Sequence, residues 1–378
     1  MLKFSLKQRN NIWLFPIIFG LLGGLMGLFL RYVFTGVVTS FSLKNILHSH
    51  SHVMLLGFVF NALVSILWIQ FTEKIDRTSY YFYLALQVCV SLLLVAFLLQ
   101  GYAPFTIVFS TLHLWLSYVL LIRLWKRLKG VSVLLNLVKI GIVLNIVASI
   151  GPYLLGPLKV FGMQDSPWYR QAIFFYLHFQ YFGSFFIWFL AVFLKQTELT
   201  LSKKQVSLIV ISSVLLYAHS LDYSFDHWAI TVVGTIGSVI LFFVFLSKKE
   251  LFYHKKLSYR LLYIVLLSVL LLNCFGSIPV LSEMVVSNRF ILIAWLHLLF
   301  LGLYLPFIWI ELPVMIKPKI WVLYILFVVF TELLLLFPSQ LSDWFSTSIM
   351  TLLFLAYLGV VLCISIVHLK YIFERIKT

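Results

Sequence analysis

The sequence has few charged residues for its length. Asp, Glu, Lys and Arg make up only 11% of the 378 residues, whereas hydrophobic residues make up 62%, and the mean hydropathy is +1.06. A water-soluble domain of this composition would expose a very large apolar surface, so the composition excludes an ordinary soluble protein. A lipid bilayer is the solvent in which such a chain is stable.

The sequence also has few cysteines and no basic domain. Cys89, Cys274 and Cys363 stand singly within apolar runs, which excludes a disulfide framework and a CxxC metal site. The formal net charge of +16 comes from short basic clusters between apolar stretches. This distribution favours membrane topology over nucleic-acid binding, so we expect membrane lipid and no nucleic acid as a partner.

Apolar runs of roughly 18 to 25 residues match the thickness of a bilayer core. The sequence therefore predicts an all-α, polytopic membrane protein of about twelve transmembrane helices, with residues 1–378 forming a single transmembrane domain. The predicted spans are 12–34, 45–71, 79–99, 103–125, 133–156, 170–195, 205–225, 227–247, 258–280, 288–312, 318–337 and 346–370.

The basic residues predict the orientation of these spans. With both termini in the cytoplasm, all but five of the 28 Lys and Arg lie on the inner side. Short loops rich in Lys and Arg stay inside, so this split predicts a multi-pass protein of a bacterial-type plasma membrane with cytoplasmic termini. The five outer residues are Arg31, Lys44, Lys159, Arg170 and Arg289.

Five histidines are predicted to lie at one depth near the outer face. Counting about 1.5 Å per residue from the nearest outer turn puts each of them roughly 9 to 14 Å below that face. Singly, each fits a hydrogen-bonded packing contact, but histidine in a membrane is costly and often faces a cofactor. The five are His50, His113, His178, His219 and His297, each on a different predicted helix.

The other five histidines are predicted to serve elsewhere. His48 and His52 flank His50 and point roughly 160° away from it on a helix, so they cannot share a ligand with it. We expect the remaining three to be solvated or interfacial. They are His227, His254 and His368.

The second span carries a recognisable motif. It reads Leu47-His48-Ser49-His50-Ser51-His52 and continues to Asn61-Ala62-Leu63. With this segment the chain resembles subunit I of the haem-copper oxidase superfamily, nearest to the C-type oxidases and nitric oxide reductases. In that family a histidine at the outer end of helix II binds the low-spin haem, and C-type members have Asn-Ala-Leu about three helical turns later. The resemblance implies that His50 is a haem ligand.

The tenth span, Ile293-Ala294-Trp295-Leu296-His297, is similar to the His-x-His motif of helix X in the same family. The second histidine of that motif is the other low-spin ligand, which implies a bis-histidine haem site of His50 and His297. Trp295 stands at the position of the high-spin haem ligand. An indole cannot ligate iron, because its nitrogen lone pair belongs to the ring.

The sixth and seventh spans resemble the family's copper-binding helices. His178 matches the first copper ligand and His219 matches the first histidine of an adjacent pair, but Ser220 replaces its second histidine. Ser213 occupies the position of the redox tyrosine of C-type enzymes. The resemblance therefore implies an incomplete binuclear centre. A copper or other metal ion held by His178, His219 and His113 stays an alternative.

The family binds the haem propionates with arginines after helix XI, and residues 337–346 contain none. Any haem carboxylates would need another basic partner near the outer face. The candidates are Arg31, Lys44, Arg170 and Arg289.

Two functions follow from these patterns. The first is a protein with one low-spin b-type haem between His50 and His297, serving electron transfer or respiration linked to oxygen or nitric oxide, with respiratory partner subunits or an electron donor. By resemblance it is an oxidoreductase like cytochrome c oxidase or nitric oxide reductase. The second is a proton-coupled transporter or channel with a histidine-lined path, to which Glu332 and Asp222 would contribute. Iron content separates the two.

Overall fold

The computed structural model describes residues 6–37, 40, 42–222, 224–342, 344–345 and 347–376. These residues form helices and turns and no strand, which confirms the all-α prediction. Twelve helices in the described ranges are apolar and long enough to cross a membrane. Spans 1 to 12 are Asn11–Val33, Leu43–Phe71, Arg77–Gln100, Pro104–Arg127, Val133–Val160, Pro167–Thr197, Lys203–Asp222, Trp228–Leu246, Leu257–Phe275, Phe290–Glu311, Pro318–Leu336 and Ile349–Arg375.

Each predicted span boundary agrees with the observed one to within five residues. The agreement arises because the ends carry local signals. The side chain of Asp76 accepts a hydrogen bond from the backbone of Ser79 and caps span 3, and Ser202 forms a capping box with Gln205 at the start of span 7. Gly101 ends span 3 with a φ of +63°, a conformation that favours glycine.

In the described ranges, three shorter helices lie between the spans. Two of them begin with proline, whose missing N–H group costs nothing in the first helical turn. They are Pro279–Ser287 between spans 9 and 10, Pro338–Ser342 after span 11, and the 3₁₀-helix Lys249–Tyr253 after span 8.

The chain divides into two compact units. Unit 1 comprises Met1–Leu124 and Leu296–Thr378, and unit 2 comprises Trp125–Trp295. In unit 1, span 1 packs against spans 2 and 12, and span 11 packs against spans 10 and 12. In unit 2, span 5 packs against span 6, and span 8 packs against spans 7 and 9.

Each unit has one span that is apolar on all sides and deeply buried. In span 2 of unit 1, 78% of an apolar 18-residue stretch is buried, and the corresponding share in span 6 of unit 2 is 89%. A helix that is hydrophobic all round belongs in a protein core. Each unit therefore has a central helix, and each central helix carries one of the candidate histidines.

Spans 2, 6 and 10 share an unusual backbone feature. Each leaves α-helical geometry for a π-helical segment that begins directly after a histidine, namely His52, His178 or His297. The three segments are Val53–Phe60, Phe179–Phe185 and Leu298–Tyr304. Segments of this kind are rare and occur often at functional sites.

The sequence shows a repeated spacing of histidine and glycine at the same three places. Among the ten histidines, only these three are followed by glycine five residues later, at Gly57, Gly183 and Gly302. We call this spacing the HxxxxG register. It recurs at every fourth span and coincides each time with the change in helix type.

Candidate functional site

His50 lies on span 2 and faces span 1. Its Nδ1 atom is 2.8 Å from the carbonyl oxygen of Gly23. Because a carbonyl oxygen only accepts, Nδ1 carries the proton, and Nε2 keeps its lone pair. No described residue forms a hydrogen bond with His50 Nε2. The ring is thus held by one nitrogen and offers the other as a ligand.

His297 lies on span 10 and is held in the same way. Its Nδ1 atom is 3.1 Å from Oε1 of Glu332 on span 11, and the side chains are 23% and 14% exposed, respectively. The carboxylate accepts a hydrogen bond from Nδ1–H, so Nε2 is the atom with an available lone pair. No described residue forms a hydrogen bond with His297 Nε2.

Charged and aromatic side chains of unit 1 interact with these two rings or with each other. The guanidinium of Arg31 on span 1 lies 5.7 Å from the ring centre of Tyr357 on span 12. Arg31 interacts electrostatically with Glu332 and His50, and His50 interacts with His297. Five spans therefore contribute to one cluster, which consists of Arg31, His50, His297, Glu332 and Tyr357. We call it the span-1/2/10 cluster, after the spans that carry its arginine and its two histidines.

His48 and His52 lie on the opposite side of span 2, as the helical spacing predicts. His52 Nδ1 donates to the carbonyl oxygen of His48 at 2.8 Å, and the hydroxyl of Tyr102 lies 3.2 Å from His52 Nε2. The ring of His48 packs edge-on against Tyr102 at 4.7 Å. By the HxxxxG register, His52 and not His50 corresponds to His297. However, Nε2 of His52 contacts the Tyr102 hydroxyl, whereas Nε2 of His50 has no hydrogen-bond partner among the described residues.

His113 lies in unit 1, and only 2% of its surface is exposed. Its ring packs edge-on against Phe60 with 5.5 Å between ring centres. Both of its nitrogens are buried without a hydrogen-bond partner among the described residues. The structure thus places His113 beside the π-helical segment of span 2.

His178 and His219 belong to unit 2, and their Nε2 atoms are engaged. His178 Nε2 donates to the carbonyl oxygen of Ser213 at 2.8 Å. His219 Nε2 lies 2.7 Å from the hydroxyl of Ser238 on span 8. The ring of His219 also packs so closely on Gly234 that a Cβ atom there would lie 2.8 Å from it. These contacts are those of histidines that join neighbouring helices.

Trp295 and Ser220, which the family resemblance places at metal-ligand positions, are also involved in packing in unit 2. Trp295 stacks on Phe182 with 5.7 Å between ring centres. The carbonyl oxygen of Ser220 accepts a hydrogen bond from the side chain of Gln171 at 2.7 Å. Asp222, considered for a proton path, accepts a hydrogen bond from the hydroxyl of Thr231. Within the described ranges, no group of three or more His, Cys, Asp or Glu side chains is arranged to hold a metal ion.

The prediction for His368 is wrong. Its side chain is fully buried, its Nδ1 atom donates to the carbonyl oxygen of Ile17 at 3.0 Å, and its Nε2 atom accepts from the indole of Trp309 at 3.3 Å. Span 12 packs against span 1 at this position, so this histidine sits inside a helix interface. His227 is exposed and His254 is half-buried, in agreement with the prediction.

The four basic candidates for a carboxylate partner differ in burial. Lys44 and Arg170 are exposed, and the side chain of Arg289 lies outside the described part of the chain. Arg31 is only 9% exposed. Of the described candidates, only Arg31 belongs to the span-1/2/10 cluster.

Sequence reasoning missed two features of this cluster. Tyr357 has no motif around it, and its role follows only from the packing of span 12 on span 1. Glu332 was considered only as part of a proton path, although it is the hydrogen-bond partner of His297. His297 itself was predicted from the sequence.

Comparison of the chain with models of known protein families and with curated proteins finds no match.

Proposed function

We propose that this membrane protein binds one low-spin b-type haem, with the Nε2 atoms of His50 and His297 as its axial ligands. The observation that carries the proposal is that each Nδ1 atom has an acceptor while each Nε2 atom has no hydrogen-bond partner in the described residues. Metal-ligating histidines typically donate their other ring proton to a carbonyl or carboxylate, which fixes the tautomer and the ring orientation. Gly23 and Glu332 supply those two acceptors.

Other features of unit 1 support the proposal. The two candidate ligands lie on spans 2 and 10, and both interact with the same cluster of side chains from spans 1, 11 and 12. Tyr324 and Tyr357 add buried aromatic surface on spans 11 and 12. When bound, such a haem exchanges single electrons, and two axial imidazoles leave no open position for a small ligand.

The function supported best is therefore electron transfer by a protein that resembles subunit I of the haem-copper oxidases but has an incomplete binuclear centre. Trp295 and Ser220 stand where that family has iron and copper ligands, and the Nε2 atoms of His178 and His219 are engaged in helix packing. We propose no turnover of oxygen or nitric oxide by the chain alone. The proposed partners are an electron donor and respiratory subunits, without a named protein for either.

The experiment is a reduced-minus-oxidised optical spectrum of the purified full-length protein, with iron and haem measured per chain. The expected result is a low-spin b-type spectrum with one haem per chain. A protein purified from haem-replete cells that contains neither iron nor haem would contradict the proposal.

A second candidate function is a proton-coupled transporter, and one observation favours it. Oε2 of Glu332 is buried without a hydrogen-bond partner in the described part of the chain, next to His297. Ionisable pairs inside membrane proteins often mark ion paths. An iron-free protein that moves protons in proteoliposomes, and loses this activity in Glu332→Gln, would establish this function instead.

We place the protein in a bacterial-type plasma membrane with both termini in the cytoplasm, because 23 of 28 Lys and Arg then lie inside. Gln164 is exposed in the turn between spans 5 and 6. In a Gln164→Cys protein, we expect membrane-impermeant thiol reagents to label this site from the outer side of intact cells. Labelling only after the inner side is opened would show that the orientation is the reverse of the predicted one. It would also contradict the predicted common depth of the histidines near the outer face.

A further inference from the structure

Arg31 is a buried cation with no hydrogen-bond or ion-pair partner among the described residues. It lies on span 1, and only 9% of its surface is exposed. Its guanidinium lies 5.7 Å from the ring centre of Tyr357, and no described side chain or carbonyl group forms a hydrogen bond or salt bridge with it. Glu332 interacts with it electrostatically but forms no ion pair with it.

Such a group needs an anion. A guanidinium has five N–H donors and stays charged in proteins, so burying it without acceptors costs free energy. The face of an aromatic ring compensates only in part. A planar carboxylate can accept two parallel hydrogen bonds from this group, which is the geometry that arginine binds most strongly.

Span 1 aligns Arg31 with the proposed haem site. Gly23, Gly27 and Arg31 are four residues apart and therefore lie along one face of the helix. The carbonyl of Gly23 holds the ring of His50. A Cβ atom on Gly27 would lie 2.9 Å from Cε1 of His50 and 2.6 Å from the hydroxyl of Tyr357, so glycine leaves room there for both side chains.

We propose that Arg31 is an anion subsite that binds a carboxylate of the porphyrin, a proposal that rests on the haem function proposed above. This arginine lies on span 1, whereas the segment after span 11 has no arginine. The other described candidates, Lys44 and Arg170, are exposed and need no such partner.

The test compares two ligands in two proteins. Full-length wild-type protein and Arg31→Leu are depleted of haem in nanodiscs and reconstituted with haem or with haem dimethyl ester, in which both carboxylates are blocked. We expect wild type to bind haem more tightly than the ester by roughly tenfold or more, because the ester cannot form the charge-assisted hydrogen bonds. Arg31→Leu should lose most of this preference. Partition of the more apolar ester into the bilayer cancels in the comparison of the two proteins.

Two further variants control the test. Arg31→Lys keeps a cation and should retain part of the preference, which also covers the case in which Arg31→Leu does not fold. Lys44→Gln removes an exposed positive charge from span 2 and should leave the acid-to-ester ratio unchanged. An effect of Lys44→Gln equal to that of Arg31→Leu would reduce the preference to general charge and overturn the proposal.

The outcomes separate the two proposals. A wild-type protein that binds neither ligand contradicts the haem function, and the subsite proposal falls with it. A wild-type protein that binds haem with the same acid-to-ester ratio as Arg31→Leu keeps the haem and overturns the subsite alone. If Arg31→Leu keeps the acid-to-ester ratio but copurifies with less phospholipid, the anion is a lipid phosphate, and the carboxylate proposal is wrong.

Discussion

Two candidate histidines of unit 1 and two of unit 2 use opposite ring nitrogens for their hydrogen bonds. In unit 1, His50 and His297 are held through Nδ1 by a carbonyl and a carboxylate oxygen. In unit 2, His178 and His219 direct Nε2 to the oxygens of Ser213 and Ser238. Of these four histidines, only those of unit 1 have an Nε2 atom without a hydrogen-bond partner among the described residues, whereas the unit 2 histidines use Nε2 to join two helices. The two units therefore differ in which ring nitrogen the neighbouring helix engages.

The difference arises on similar backbones. Span 2 in unit 1 and span 6 in unit 2 are both deeply buried, and both change to π-helical geometry directly after a histidine. His178 on span 6 and His297 on span 10 share the HxxxxG register. The neighbouring helix distinguishes them. It offers a carbonyl oxygen to Nε2 of His178 and a carboxylate to Nδ1 of His297.

The strongest way to break this comparison is to remove the rings. We expect His50→Ala and His297→Ala each to abolish the low-spin haem spectrum, because each removes one of two axial ligands. His178→Ala and His219→Ala should retain it. Haem content per folded chain, measured after gel filtration, gives the result. A spectrum that survives His297→Ala but is lost in His178→Ala would exchange the roles of the two units.

Carbon monoxide provides a second test, because it binds only where iron has an open axial position. Native protein should show no carbon monoxide difference spectrum, since Trp295 cannot ligate a high-spin haem and both axial positions of the proposed haem are filled. His297→Gly should create a signal by opening one of them. A clear signal from undenatured wild-type protein would instead mean that an open iron centre exists.

The Glu332 carboxylate should affect the haem less than the ligands do. Glu332→Gln keeps a hydrogen-bond acceptor for His297 but removes the negative charge that stabilises oxidised iron. We therefore expect the midpoint potential to rise by roughly 60 mV, which corresponds to a tenfold change in the equilibrium of a one-electron couple.

The matched control for Glu332 is Asp222→Asn, which removes a carboxylate from unit 2 and should leave the potential unchanged. Spectroelectrochemical titration of both variants measures the two effects. An unchanged potential in Glu332→Gln would show that the His297–Glu332 contact has no influence on the iron.

The smallest expected effect concerns packing in unit 2. Ser238→Ala removes the hydroxyl 2.7 Å from His219 Nε2 and leaves that nitrogen only the longer contact with the Ser277 hydroxyl, at 3.5 Å. We expect a loss of about 1 to 3 kcal/mol in the free energy of unfolding, with unchanged haem content. Thermal unfolding followed together with haem absorbance measures both. Loss of haem without loss of stability would mean that the unit 2 histidines belong to the cofactor site.

Much of the fold was predictable because a bilayer imposes simple rules. Every backbone polar group must be satisfied within its own helix, so long apolar runs become helices, and residues such as Asp76, Gly101 and Ser202 mark their ends. The opposite orientation of His48 and His52 from His50 followed from the helical repeat alone. His368 was assigned wrongly because the end of an apolar run does not reveal how far a helix stays packed against its neighbours.

The sequence by itself determined the twelve spans, because span length and apolarity are properties of single segments. Only the tertiary structure decided which nitrogen of each histidine is engaged. The partners are Gly23, Glu332, Ser213 and Ser238, and each lies on a different span from the histidine that it contacts. The tertiary structure also decided that Arg31 is buried beside Tyr357 rather than exposed like Lys44. Contacts between distant segments depend on which helix faces pack together, and no local pattern specifies that.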